Sequence, residues 1–195
     1  LKTCIEEGNM QNIVFVSHCI LNTASKVVMY EKESMAAEEK LRREFLSKAL
    51  EKGVQIIQLP CPEFTLYGAN RWGHTKNQFD NPFFIEHCRK LLQPVISQLK
   101  EYLKNDDRFN VLGFIGIDGS PSCGVDYTCY GRWGGNLSGR KDLDETIASV
   151  VMEKGRGVLF DVLSDMLEEE GISSDIAGLF AEEPHKIMRL LDKCR

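Results

Sequence analysis

Four short apolar runs stand apart along the chain, Asn12 to Ser17, Val54 to Leu59, Asn110 to Ile117 and Ile176 to Phe180, and stretches of helical period separate them. Runs this brief, rich in Val, Ile and Phe, suit buried strands, and the gaps are long enough for crossover helices. This alternation leaves few architectures open. It predicts an α/β fold, a single domain over residues 1–195 with a short, mainly parallel sheet of about four strands and helices on both faces, a Rossmann-like three-layer sandwich. Ser34 to Lys52 reads as a charged amphipathic helix closed by Gly53. From Pro82 to Lys104 apolar residues recur at Phe84, Cys88, Leu91, Val95, Leu99 and Tyr102, a helical stripe with Pro94 inside it as a kink. Leu143 to Glu153 and Val158 to Glu170 are expected as helices, and a last helix is expected from Pro184.

Three cysteines stand just beyond the first three runs: Cys19, Cys61 and Cys123. Parallel strands deliver the loops at their C-terminal ends to one edge of the sheet, so residues distant in sequence converge there. Three converging thiolates suggest a metal cluster. A lone cysteine would be read as ordinary core, which is the reading for Cys88 on its helical stripe; Cys4 and Cys194 lie near the chain ends.

The bulk properties narrow the partners. A net charge of −5 with no basic run offers nothing to a nucleic-acid polymer or an anionic membrane. No apolar segment approaches the roughly 20 residues that span a bilayer, and the opening LKTCIEEGNMQN is too polar for a signal peptide. Seven widely spaced cysteines do not make the dense disulfide framework of a small secreted domain, so a reducing, cytoplasmic setting is expected.

The cysteines sit in three blocks, VSHCILN at Val16 to Asn22, LPCPE at Leu59 to Glu63, and GSPSCGV at Gly119 to Val125. Proline on both sides of Cys61 removes two amide donors and fixes an extended turn that presents the thiol at a set angle. In the third block Gly119 and Gly124 permit tight turns, while Ser120 and Ser122 are candidate hydrogen-bond donors to sulfur or substrate.

These blocks resemble those of the thiouracil desulfurase family, SACLLG, PVCPE and SPSCG, and stand here in the same order as SHCILN, LPCPE and SPSCG. The resemblance implies a [4Fe-4S] cluster held by Cys19, Cys61 and Cys123, with one iron lacking a protein ligand. It also implies a small thiolated heterocycle as substrate, a 2-thiouracil-like base or nucleoside, whose sulfur leaves as sulfide while water supplies the replacing oxygen without net redox. By the same resemblance Glu63 is the candidate to deprotonate water and shuttle a proton. His18 stands where the family carries a small residue, Asn22 where it carries a glycine, and VVMYE where an Arg-Tyr-Asp-Gly stretch is often found. His18 is a candidate proton donor to sulfide or substrate.

A small echo follows the second and third cysteines. Arg71, Trp72 and Gly73 trail Cys61, and Arg132, Trp133 and Gly134 trail Cys123, nine or ten residues on in each case. A flat heterocycle needs a face and donors, so Trp72 or Trp133 is expected to stack on it and Arg71 or Arg132 to bind its carbonyl oxygens, with Gly131 to Gly139 as a lid. Cys129 is a candidate fourth ligand or sulfur acceptor. Two other readings keep the fold: Cys61 as a nucleophile with His18 or His74 as base, or a non-catalytic module in which the three cysteines bind zinc with His18 or Cys129.

Overall fold

The computed structural model describes residues 10–30 and 32–195; Cys4 and the polar opening segment lie outside the described residues. Four strands, β1 (Gln11–Val16), β2 (Gln55–Gln58), β3 (Phe109–Ile117) and β6 (Ile176–Leu179), form one parallel sheet in the order β2-β1-β3-β6. The α/β expectation holds, and this sheet is parallel throughout. Because β1 is followed by β2 on one side and flanked by β3 on the other, the order reverses at the β1/β3 boundary. In open α/β sheets the crevice beyond the C-terminal strand ends at such a point is where ligands bind.

The side chains of β1 alternate between two cores. Ile13 and Phe15 join the core beneath the long helix α5 (Pro82–Lys104) and α7 (Val158–Glu169), and Val14 and Val16 join the core beneath α2 (Lys32–Glu51). The α2 face that meets the sheet carries Leu41, Phe45 and Ala49 at four-residue spacing, and its outer face carries the Glu39–Arg43 and Glu44–Lys48 pairs. Strand β3 would lose its alternation without a correction at Gly113. Val111 packs towards one core and Leu112 lies in the other, yet beyond Gly113 it is the even residue Phe114 that joins the first and the odd Ile115 the second. The register slips there, Ile13 facing Val111 and Val14 facing Gly113, which has φ +136°. A Cβ at Gly113 would stand 2.4 Å from the Asp175 carbonyl oxygen, so glycine is required at this bulge.

Helix α5 begins where its sequence says it should: the Asn81 side chain accepts from the amides of Phe83 and Phe84, and Pro82 occupies the first turn. It continues through Pro94 to Lys104. One expectation fails. Leu143 to Glu153 is not a single helix: α6 (Leu143–Ala148) ends early, and β5 (Val151–Lys154) pairs antiparallel with β4 (Tyr127–Tyr130), a strand not expected from the sequence. Pairing with β4 satisfies β5's backbone, which outweighs the helical spacing of Ile147 and Val151. The last helix expected from Pro184 is a single turn, α8 (His185–Met188), followed by a 3₁₀ turn. Among the described residues no helix is long and apolar enough to cross a membrane.

Candidate functional site

The three cysteines leave the C-terminal ends of adjacent strands by three different devices. Cys19 lies in α1 (His18–Leu21), the single turn directly after β1. Cys61 caps α3 (Pro62–Tyr67): its sulfur accepts from the Phe64 amide at 3.3 Å, and Pro62 fills the first helical position, where no amide donor is needed. Cys123 sits in a loop folded back on β3, its carbonyl accepting from Ile117 N at 2.8 Å. The loop is gripped from above by α7, whose first amides, Val158 and Leu159, donate to the carbonyls of Pro121 and Ser122. Gly157 makes that approach possible, since a Cβ there would meet Ser122 carbonyl carbon at 2.4 Å.

The thiols of Cys19 and Cys61 lie close enough to act on one another, Cys123 close enough for its charge to act on Cys19, and Cys61 close enough for its charge to act on Cys123. The neighbouring Cys61 holds the Cys19 thiol below the ordinary range, and the neighbouring Cys19 holds Cys61 above it, burial adding to the latter. Cys123 is pushed up to about 12 by burial, with the Ser122 hydroxyl pulling the other way.

A buried polar chain ties the three cysteine loops together. Glu63, 8% exposed, accepts from Ser122 Oγ at 2.6 Å through one carboxylate oxygen and from Arg71 Nε at 3.2 Å through the other. Arg71 also donates to Gly68 O at 3.1 Å and to Ser25 O at 2.7 Å, and the Ser25 hydroxyl lies 3.6 Å from the Cys19 sulfur. Ser120 Oγ accepts the Cys123 amide at 3.0 Å and stands 3.3 Å from Ser122 Oγ. Glu63 is therefore neither a helix cap nor a surface carboxylate, and the Ser122 hydroxyl that donates to it has the Cys123 sulfur as a second acceptor at 3.5 Å.

The remaining candidates divide between the site and its surroundings. Arg71 faces inward, with all three guanidinium nitrogens engaged by the protein, while Trp72 beside it is 78% exposed. Trp133 is fixed by its indole N–H to Thr146 O at 3.1 Å, and Arg140 ties Gly134 O to Asp142, so the glycine-rich segment is pinned to α6. Arg132 is exposed, its amide bonded to Ser149. The two echo loops do meet, through Gly131 N to Asn77 Oδ1, but beyond their tryptophans. The His18 ring lies 3.4 Å from the Asn22 amide nitrogen, so the two departures from the desulfurase blocks contact each other. His74 stacks against Tyr67 and Phe79, at 5.0 and 4.7 Å, in one cluster of rings, and burial holds its pKa down. Neither ring is hydrogen-bonded to a cysteine sulfur among the described residues. Cys129 donates to the His74 carbonyl at 3.4 Å, and burial pushes its thiol up to about 11.

No protein-family model matches the chain, and no solved structure matches it. A curated archaeal sequence does: the uncharacterized protein MJ0003 of Methanocaldococcus jannaschii, 40% identical over 115 residues, which are 59% of this chain and 69% of that protein. The chain belongs to the MJ0003 family. Since the MJ0003 name carries no activity, the chemistry rests on the side chains themselves. Among the described residues no group of three His, Cys, Asp or Glu side chains is set around a single metal ion. The two proposed fourth ligands of a closed zinc site face other partners, Asn22 for His18 and the His74 carbonyl for Cys129. Three thiols with hydroxyls beside them are a soft, sulfur-only donor set, which suits an iron–sulfur cluster with hydrogen-bonded sulfurs.

One residue that positions this MJ0003-family site carries no cysteine-like signal. Asp118, 9% exposed at the end of β3, accepts the amides of Val125, Asp126 and Tyr127 on one oxygen at 2.8, 2.9 and 3.2 Å, which closes the loop around Cys123. Burial raises its pKa, the three amides acting in the opposite direction. A carboxyl whose folded pKa exceeds its unfolded value, about 3.9, stabilises the fold most in acid and loses that contribution as pH rises through the raised value. Asp118→Asn is expected to abolish this slope. Asp118→Ala leaves three amides without their acceptor and is expected to cost about 2–3 kcal/mol, read by denaturant unfolding, with faster alkylation of Cys123.

Proposed function

We propose that the protein removes sulfur hydrolytically from a thiolated heterocycle, a 2-thiouracil-like base or nucleoside, exchanging C=S for C=O and releasing hydrogen sulfide. The observation that carries this reading is the convergence of Cys19, Cys61 and Cys123 at the sheet's switch point, with a buried Glu63 carboxylate hydrogen-bonded into the Cys123 loop. The resemblance to the desulfurase blocks gives the reading its substrate class.

The three cysteines would hold a [4Fe-4S] cluster. Bound there, the cluster supplies a Lewis-acidic iron without a protein ligand, open to the substrate's sulfur. The chain's own residues do the proton work. An ionised carboxylate offers about four lone-pair sites, and Ser122 and Arg71 occupy two of Glu63's, so each oxygen keeps one for a water. Glu63 takes a proton from the water that attacks the ring carbon and returns it to the departing sulfur; the second water proton leaves the new hydroxyl as C=O forms and completes the hydrogen sulfide. Arg71, 3% exposed in its side chain, fixes the carboxylate's orientation by an ion pair in a poorly hydrated place. Ser122, held by Ser120, fixes the other oxygen. Water is thus aimed by a carboxylate whose two neighbours are anchored on different loops.

Anaerobic reconstitution tests the reading. About four iron and four acid-labile sulfide per chain are expected, with a visible spectrum that changes on addition of 2-thiouracil. Iron-free protein that desulfurates fully, with one thiol labelled stoichiometrically, would replace the reading by cysteine nucleophilic catalysis; zinc without iron or sulfide would replace it by a binding module.

A further inference from the structure

The buried hydroxyls around the site are accounted for, with one exception. Ser25 donates to Asn22 O, Ser122 to Glu63, Thr75 to Gly131 O and Thr128 to Ser120 O. Ser17, 1% exposed, has a hydroxyl with no hydrogen-bond partner among the described residues. Its backbone is fully engaged: the amide donates to Ile115 O at 2.8 Å and the carbonyl accepts from Ile20 N at 2.9 Å, which locks the residue at the β1/β3 boundary two positions before Cys19. The hydroxyl is near enough to favour the Cys123 thiolate, without an aligned hydrogen bond to that sulfur.

A buried hydroxyl left unpaired is costly, and nothing in the packing of β1 demands one at this position, where alanine would fill the same backbone. The cost is recovered when an acceptor arrives. A sulfur that has given up its proton to a metal accepts a hydrogen bond far better than a thiol does, and the sulfurs nearest this hydroxyl belong to the proposed ligand set.

We propose that Ser17 is a positioning residue of the metal-loaded site, its O–H donating to a sulfur, the Cys123 thiolate or an inorganic sulfide, that becomes an acceptor only when the cysteines are loaded. The inference rests on the cluster reading above. The Ser17 hydroxyl then joins the Ser122 side of the Cys123 loop to the end of β1, so the site closes across the switch point only in the loaded protein.

The test compares wild type with Ser17→Ala and Ser17→Thr, each metal-free and each after anaerobic reconstitution, by melting temperature and by the rate at which a chelator removes iron. Metal-free Ser17→Ala is expected to melt at or above wild type, because an unpaired hydroxyl has been removed. Loaded Ser17→Ala is expected to melt below loaded wild type and to release iron about tenfold faster, the size of effect one hydrogen bond to a charged group gives. Ser17→Thr, which keeps the hydroxyl and suits a strand end, restores the wild-type rate. A Ser17→Ala protein that melts lower by the same amount in both forms would make the role merely structural and overturn the proposal. So would an unchanged release rate with normal wild-type loading. Wild type that takes up neither iron nor sulfide would instead overturn the cluster reading, and the Ser17 proposal with it.

Discussion

Cys61→Ser is expected to abolish iron and sulfide retention and desulfuration together, with the fold intact. The second half of that statement follows from where Cys61 sits. Its sulfur accepts the Phe64 amide as the cap of α3, and serine is among the best residues at that position, so the helix keeps its cap. The flanking Pro60 and Pro62 are untouched, and Cys61 is one of many buried side chains, so a one-atom change leaves little cavity. What is lost is a soft ligand: a serine hydroxyl does not ionise near neutrality and does not compete for iron as a thiolate does. Metal-free Cys61→Ser should therefore match metal-free wild type in thermal unfolding, within about 1 kcal/mol, while its reconstituted form contains no iron or sulfide and turns over no thiolated base. An iron-free variant with wild-type activity would remove the cluster from the mechanism. Retention of a full cluster would remove Cys61 from the ligand set.

How far this site could be read from the residues depends on what kind of signal each one left. Cys19, Cys61 and Cys123 were legible because a parallel sheet sends every strand's C-terminal end to one edge, so strand assignment alone placed them together. The interior of β3 kept its identity through the Gly113 bulge because apolar residues continue on both sides of it, although the parity change was not foreseeable. The β4–β5 ribbon was missed because Leu143, Ile147 and Val151 fall at helical spacing, and the deciding fact, an available partner at Tyr127 to Tyr130, is non-local. The adjoining Val150 and Val151 were the available hint. Arg71 was read as a ligand for substrate because sequence gives residue type and not direction; the bend at Gly68 turns it onto Glu63. Asp118 carries a weaker signal, although an acid between a strand end and the turn residues Gly119, Ser120 and Pro121 is a usual acceptor for loop amides. Ser17 matches the serine that opens the desulfurase block SACLLG, yet a serine ending a strand is ordinary until its hydroxyl is seen to be orphaned.

Replacing Glu63 by glutamine separates two roles that one carboxylate combines. Glutamine has the same shape, and its oxygen still accepts from Ser122, but its amide turns donors towards Arg71 Nε, where a carboxylate oxygen had been. Arg71 is 3% exposed in its side chain, so it is left as a buried cation without a counter-ion. Breaking such a pair by neutralising one member costs about 3 kcal/mol, and Glu63→Gln should unfold correspondingly earlier in denaturant. Its turnover should fall about 10³-fold, within the range of lost general acid–base catalysis. The fall alone is ambiguous, since an unpaired guanidinium can disturb the loops that carry Cys19 and Cys61 through Ser25 and Gly68. Glu63→Gln combined with Arg71→Leu removes the stranded charge along with the carboxylate and is expected to regain about half of the lost stability, because two neutral partners are better tolerated than one buried ion. The proton acceptor stays absent, so activity stays at the level of the single variant while reconstituted iron and sulfide remain near wild type. Activity that returns together with stability would make Glu63 the counter-ion of Arg71 and nothing more, and the proton would have to be carried by another group.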